Sequence, residues 1–208
     1  MDGAQEDQVL TIFRWLKDGP PGGLPMSLDD GPMACIEAVG WGDVNRSAAL
    51  ARLALWRQAA RPDLAPITPA LVRGWLVEQV LDIPDRLLFW VKGPDDRPLG
   101  HVGLLRFDFA ARTADVGLLL RGVEGEAPGI MSAAVLTLCA WAFESLSLAA
   151  VRLRVPADNA RAVRLGQRCG FQETARARLA LVRDEEAPEE REMVTMRLLP
   201  GRGLRKAA

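Results

Sequence analysis

The chain has 208 residues, with 26 Lys+Arg against 27 Asp+Glu, a formal net charge of -1 and a single histidine, His101. The balanced charge, with no basic stripe, excludes nucleic acid as an expected partner, and one histidine excludes a multi-histidine metal site. With 49% hydrophobic and 25% charged residues the chain can bury one good core, and its longest nearly apolar run, Ile130 to Phe143, is too short to span a bilayer.

Residues 5 to 17 form an amphipathic helix in which Val9, Ile12, Phe13 and Leu16 recur at helical spacing. "GPPGGLP" follows and reads as a break in regular structure, so residues 1–25 are expected to be a helical extension and linker, with the helix packed on the domain in preference to a partner-binding arm. "ACIEAV" reads as a strand. "DVNRSAALARLALWRQ" reads as a helix with Leu50, Leu53, Ala54 and Arg57 on one face. Thr68 is a good N-cap, Pro69 suits the first helical position, and Leu71 to Leu81 continue that helix. "RLLFWVK", "LGHVGLLRF" and "TADVGLLLR" are strands joined by short turns and are expected to pair antiparallel. A glycine-containing loop, residues 122–129, leads into a buried helix from Ile130 to Leu146. "AAVRLRVP" is a strand with Val151, Leu153 and Val155 alternating. Asn159 starts the last helix, and "FQETARARLALV" and "REMVTMRLL" are two strands around the charged connection "RDEEAPEE". Residues 201–208 are a basic tail.

Chemistry concentrates at two places. In "EAPGIMSAAVL" a glycine precedes a helix whose first N–H groups are unpaired and whose dipole end is positive, which makes an anion site. Gly129, Ile130, Met131 and Ser132 are its residues, and it is neither a Walker loop nor a dinucleotide fingerprint. His101, on a central strand, is the one side chain with an unperturbed pKa near neutrality. Trp41 follows the first strand between glycines, so its ring is placed to line a substrate pocket. Arg46, Arg52, Arg57, Arg61 and Arg73 outnumber Asp43, Asp63 and Glu78 over the first two helices. They are either a solvated helix surface or recognition groups for an anionic substrate such as a nucleotide-linked amino sugar, whose phosphate suits arginine forks. Cys35, Cys139 and Cys169 have no disulfide or metal spacing, and Asp2, Glu6 and Asp7 stand where an export signal would be basic, so a cytoplasmic protein without metal is expected.

The order strand, two helices, three strands, loop, helix, strand, helix, two strands resembles the GNAT superfamily of acetyl-CoA-dependent N-acyltransferases. "LARLALWRQ", "DRLLFWV", "PLGHVGLL" and "AWAFESLSL" carry the resemblance. The most specific phrase is "VPADNARAVRLGQRCGF", with Asn159, Ala162, Leu165, Gly170 and Phe171 at the family's spacing. The likeness covers roughly 33–200 and is closest to the branch of ribosomal-protein N-terminal and amino-sugar acetyltransferases.

The resemblance implies a mixed, mostly antiparallel α/β sheet of seven strands, flanked by about four helices, with the N-terminal helix extra. It implies acetyl-CoA as co-substrate, a small-molecule or peptide amine as acceptor, and a possible homodimer. Leu118, Leu119 and Leu120 would splay from the neighbouring strand to meet the pantetheine arm. The loop and helix start would hold the pyrophosphate, and Asn159 would touch the cofactor arm. Against the family's loop pattern this chain offers Glu126, Gly129 and Met131, with Glu126 expected to point away from phosphate. Asp115 falls where relatives carry an acid that activates the amine through water. The family's usual acid is a tyrosine where this chain has Gly166, and no tyrosine occurs anywhere. Cys169, one turn further on, and His101 are then the remaining candidates for moving protons. A Gly166→Tyr variant is expected to raise turnover if the position aligns with the family's tyrosine and tolerates the ring. A non-catalytic acyl-CoA-binding protein is the alternative from another class.

Overall fold

The computed structural model describes residues 3–20, 22–26, 34–62, 65–122, 128–181 and 189–201. In chain order it runs α1 (Gly3–Asp18), β1 (Gly23–Met26), β2 (Ala34–Ala38), α2 (Ser47–Ala60), α3 (Pro69–Leu76), β3 (Leu87–Lys92), β4 (Pro98–Asp108) and β5 (Thr113–Arg121). Then come α4 (Ile130–Ser145), β6 (Ala150–Pro156), α5 (Ala160–Arg168), β7 (Gln172–Leu181) and β8 (Glu189–Leu198). The eight strands form one sheet in the order β1-β2-β3-β4-β5-β6-β8-β7. Every neighbouring pair is antiparallel except β5 and β6.

The α/β architecture agrees with the expectation, and the strand count is one higher. The extra strand is β1, inside the segment read as a breaker. Pro25 lies opposite Cys35, and β1 is the sheet's edge. An edge strand tolerates a proline because one side of its backbone has no ladder partner to lose. Residues 183–188 of the charged connection, the basic tail beyond Gly201, and Glu126 lie outside the described residues, while the connection's last two residues, Glu189 and Glu190, open β8.

Alternation along the strands divides the molecule into three layers. On one face Leu87, Phe89, Val91, Val102, Leu104, Val151, Leu153, Val194 and Met196 pack against α4 and α1. Helix α4 is apolar on nearly all sides because it is sunk into this core, with Ala134, Leu138, Cys139 and Ala142 fully buried. On the other face Leu88 and Trp90 meet Leu50, Leu53 and Trp56 of α2 and Val72 and Leu76 of α3. That second cluster takes no residue from β6, β7 or β8.

The cap on α3 is as expected: Thr68 Oγ1 accepts from Leu71 N at 3.3 Å, and Pro69 opens the helix. Its last turn, Val77–Leu81, widens to π geometry, with Asp82 N donating to Val77 O. The carbonyls released there are met from a distance. Lys17 of α1 is buried, and its Nζ donates to Val80 O at 3.0 Å, Leu81 O at 3.1 Å and Ile83 O at 2.6 Å. Phe13 of α1 is wholly enclosed and meets Phe107 edge to face at 5.0 Å. Helix α1 is therefore part of the domain's core and not a detached extension.

Candidate active site

The site begins where the sheet comes apart. β5 lies parallel to β6 only from Thr113–Val116 against Ala150–Leu153. From Gly117 onward β5 has no ladder to β6, and its backbone faces a gap. A bulge adds to the divergence: between the pairs Gly103–Gly117 and His101–Leu120, two residues of β5 oppose one of β4. Leu118 takes φ +50 there, an uncommon conformation for a residue with a branched side chain. The bulge resets which face each leucine serves. Leu118 and Leu120 pack under α2 and α3, while Leu119 turns to the gap.

A cleft of about 480 Å³ occupies this gap, lined by Leu119, Arg121, Met131, Asn159 and residues of α5. Gly129 enters α4 with φ +83 and open space around it, a conformation that favours glycine and lets a ligand approach the backbone. The helix's own ladder opens with Ser132 N and Ala133 N on Gly129 O, so the amides of Ile130 and Met131 precede it. The Asn159 side chain caps α5 by accepting from Ala162 N at 3.1 Å, and the residue also lines the cleft.

Sequence reasoning missed the arginines here. Arg121 from β5 and Arg161, Arg164 and Arg168 from α5 all line the cleft. The spacing 161, 164, 168 is one face of a helix and was visible in the stretch read for its missing tyrosine. Such a cradle of guanidiniums beside free helix amides fits the phosphates of coenzyme A. Arginines on α5 thus stand where the altered loop offers little charge.

The three proposed proton carriers do not converge on the cleft. His101 is buried, and its Nδ1 is 2.6 Å from Leu118 O. A carbonyl only accepts, so Nδ1 carries the hydrogen and Nε2 is left as a lone pair with no partner among the described residues. Burial, opposed only by the Leu118 hydrogen bond, pulls the ring's pKa down to about 4. Its neighbour is Trp75, whose ring is also covered by Arg57 at 4.1 Å.

Asp115 is fully buried, and its carboxylate accepts from Nε of Arg106 at 2.8 Å, Arg152 at 2.8 Å and Arg154 at 2.6 Å. Both oxygens are thus engaged. Cys169 is also fully buried and donates to Ser132 O, and burial raises the thiol to about 11. Gly166 faces inward: a Cβ there would lie 2.7 Å from Leu153 Cδ2 and 2.9 Å from Met196 Sδ. A tyrosine at 166 therefore begins in the core, which changes the expected outcome of that substitution. Trp41 starts a tight turn and lines a second cleft of about 270 Å³ with Arg14, Lys17 and Leu81, away from Leu119. Around the first two helices Arg46 pairs with the buried Asp43, and Arg73 donates to Asn45 Oδ1 at the surface. Among the described residues no cluster of His, Cys, Asp and Glu could hold a metal ion. No helix among them is long and apolar enough to cross a membrane.

A mixed sheet that opens between two parallel strands, against a helix start and a cationic groove, defines a class of transferases that seat a phosphorylated carrier across the opening. The family follows from the sequence: residues 37–172 match the model described as an acetyltransferase (GNAT) domain, and the chain belongs to that family. It is therefore an N-acetyltransferase by family, and the family uses acetyl-CoA as co-substrate.

The chain is similar in structure to a probable GNAT-family acetyltransferase from Chromobacterium violaceum. The TM-score is 0.65 at 20% identity, over 88% of this chain and 94% of that one. It is also similar to a GCN5-related N-acetyltransferase from Brucella melitensis, with TM-score 0.64 and 17% identity over 86% and 81% of the two chains. A third likeness is to mutant forms of the spermidine/spermine N-acetyltransferase SpeG from Vibrio cholerae, with TM-score 0.59 and 19% identity over 84% and 99%. These likenesses concern the fold. No curated protein matches the sequence.

Proposed function

We propose that this protein transfers acetyl from acetyl-CoA to a primary amine by direct attack, with the carrier lying in the β5–β6 cleft. The observation that carries this reading is the parting of β5 from β6 beside an arginine-lined groove and the start of α4. Arg161, Arg164 and Arg168 would hold phosphates, with the Ile130 and Met131 amides beside them. Bound acetyl-CoA supplies the thioester. The backbone N–H near Leu119 is the group placed to polarise its carbonyl. Such preorganised donors are commonly worth a few kcal/mol when they meet charge that develops in the transition state. The amine nitrogen bonds to the carbonyl carbon, the carbon–sulfur bond breaks, and the amine's proton passes to the thiolate or to solvent.

His101 is best read as a positioning residue. By donating to Leu118 O it fixes the bulge that aims Leu119 at the cleft. A ring with a pKa near 4 is a poor base for an ammonium, and Nε2 is aimed away from solvent. Asp115 and Cys169, each enclosed and hydrogen-bonded, are likewise read as structural. Alignment of the two substrates then supplies most of the acceleration, and the general acid worth about 10²–10⁴ in rate is replaced by water. The test is thiol release from acetyl-CoA across a panel of amines. Release that depends on the amine supports the reading. Stabilisation by coenzyme A with no release from any amine would favour instead the non-catalytic acyl-CoA binder, which the absence of a converging acid motivates.

The acceptor is a small amine or a peptide N-terminus. The SpeG neighbours act on spermidine by their names; for this chain a polycation is not the preferred acceptor, for the reason developed next.

A further inference from the structure

The sheet face that α2 and α3 leave uncovered carries a concentrated positive charge. Asp115 lies at its centre, fully buried, with the Nε atoms of Arg106, Arg152 and Arg154 all within 2.8 Å of its oxygens. Three guanidiniums against one carboxylate leave an excess of two positive charges at one point of the surface. The arginines remain 52%, 29% and 34% exposed.

Asp115 uses their inner nitrogens and leaves most of the outer ones spare. Arg152 Nη2 donates to Arg106 O at 3.3 Å, and the terminal nitrogens of Arg106 and Arg154 have no acceptor among the described residues. Arg197, exposed, stands directly across from Arg152 in the β6–β8 ladder. Like charges directly opposite each other in a sheet are destabilising unless something neutralises them. Arg106 also takes φ +54 at a register shift of β4, a conformation a non-glycine residue seldom adopts. Strain and repulsion are thus both tolerated to gather these groups.

The cluster is on the reaction's own strand. Asp115 precedes Leu118 by three residues of β5, about 10 Å at the usual rise per residue. Between them Gly103 and Gly117 pair with each other, and the side chains of Leu118 and Leu105 lie over them, so an acceptor crosses this stretch on an apolar floor.

We propose that Arg106, Arg152, Arg154 and Arg197 form a subsite for the phosphate group of an acceptor whose amine reaches the thioester at the Leu118 bulge. The proposal rests on the N-acetyltransferase reading and names the acceptor's chemistry: a phosphorylated primary amine, with the phosphate roughly 10 Å from the nitrogen. The compactness of the cluster selects phosphate. An acidic peptide spreads its charges along the chain, whereas three guanidiniums gathered on one carboxylate, with Arg197 beside them, present their donors to one small, multiply charged group. Asp115 is the residue that preorganises the forks, holding them by their inner nitrogens.

The experiment uses a ladder of ω-aminoalkyl phosphates of two to eight carbons, each with its matched amino alcohol, and spermidine. For wild type, kcat/KM is expected to be at least tenfold higher for the best phosphate than for its alcohol. The gain should lie in KM and peak near six carbons. Arg197→Gln and the double variant Arg106→Gln/Arg154→Gln should remove the preference while leaving KM for acetyl-CoA within twofold. Equal rates for phosphates and alcohols, or a preference for spermidine, would overturn the subsite.

A second measurement stands apart from turnover. With coenzyme A saturating the cleft, inorganic pyrophosphate is titrated calorimetrically into wild type and into Arg197→Gln, which leaves the Asp115 ion pairs untouched. Binding weakened at least fivefold by the substitution supports the subsite even if no amine is acetylated, the outcome that would sink the transferase reading alone. No binding, or binding indifferent to Arg197, sinks the subsite whatever the turnover. If coenzyme A does not bind, the same titration on free protein compares Arg197→Gln with Arg164→Gln, and sensitivity to Arg164 alone overturns the subsite.

Discussion

His101 shows how far one side chain's surroundings decide its role. The sequence marks it as the only group titrating near neutrality, which suggests a base. Burial reverses that: its pKa falls to about 4, and its one hydrogen bond goes to a strand carbonyl. The unfolded chain binds a proton on this ring below about 6.5 and the folded chain only below about 4. The stability contributed by the neutral ring is therefore complete above pH 6.5 and is lost as pH falls toward 4. Between pH 7.5 and 5 the loss comes to about 2 kcal/mol by linkage. Urea unfolding of wild type and His101→Gln at those two pH values should show this difference as a steeper acid loss in wild type. Parallel losses would mean the ring is not shielded. Activity of His101→Gln should fall mainly in kcat, since the bulge it steadies is the proposed carbonyl-polarising element.

Gly166 belongs to the same scale. It is legible in sequence as a missing tyrosine, but the direction of its Cα–Cβ bond is not. With Leu153 and Met196 within 3 Å of an added Cβ, Gly166→Tyr must displace buried atoms. Overpacking of this kind costs about 1–3 kcal/mol. A lowered Tm with no gain in turnover is expected. A folded variant with raised turnover would restore the position to the active site.

At the scale of elements, helix α5 does two jobs with one sequence. Its Leu165 and Gly166 side packs on the core, and its arginines face the cleft. Replacing Arg164 with glutamate should raise KM for acetyl-CoA roughly tenfold or more, on the scale of one charge-assisted hydrogen bond, with kcat changed far less. The effect should shrink as salt rises, because these groups are exposed and screened. An unchanged KM would remove α5 from the carrier's site.

Which elements exist was legible from periodicity and caps, as for α3 behind Thr68 and Pro69. Two things were not. A strand that looks like a linker, β1, forms because its proline sits at an edge, and edge position is a property of the assembled sheet. The Asp115 cluster draws on β4, β5 and β6, at separations of 9, 37 and 39 residues. No local spacing announces such a group. In sequence Asp115 looked like an acid at a strand start, available to solvent.

For the molecule as a whole, family, fold class and general reaction could be read from one chain of motifs. The acceptor could not, because it depends on which half of the sheet is left bare. The arginines of α2 and α3 were the sequence's candidates for an anionic acceptor, and several are engaged with their own helices' neighbours. The bare half, beyond the reach of those helices, is where unshared positive charge accumulates.

Lys17 links the two ends of this picture. Methionine in its place would leave the carbonyls of Val80, Leu81 and Ile83 without their donor, at a cost of about 2–4 kcal/mol. For a chain of this size that amounts to a melting temperature lower by roughly 5–10 °C. Helix α1 also rests on Phe107, Phe109, Leu146 and Leu148. On the ribosome, α1 is made well before the residues that seat it. Phe13 and Val9 must wait, uncovered, until some 130 further residues have been made. Nascent chains arrested before residue 148 should expose α1 to protease, and those arrested after β8 has cleared the tunnel should protect it. If the shorter chains already protect α1, it docks on the first half of the domain alone.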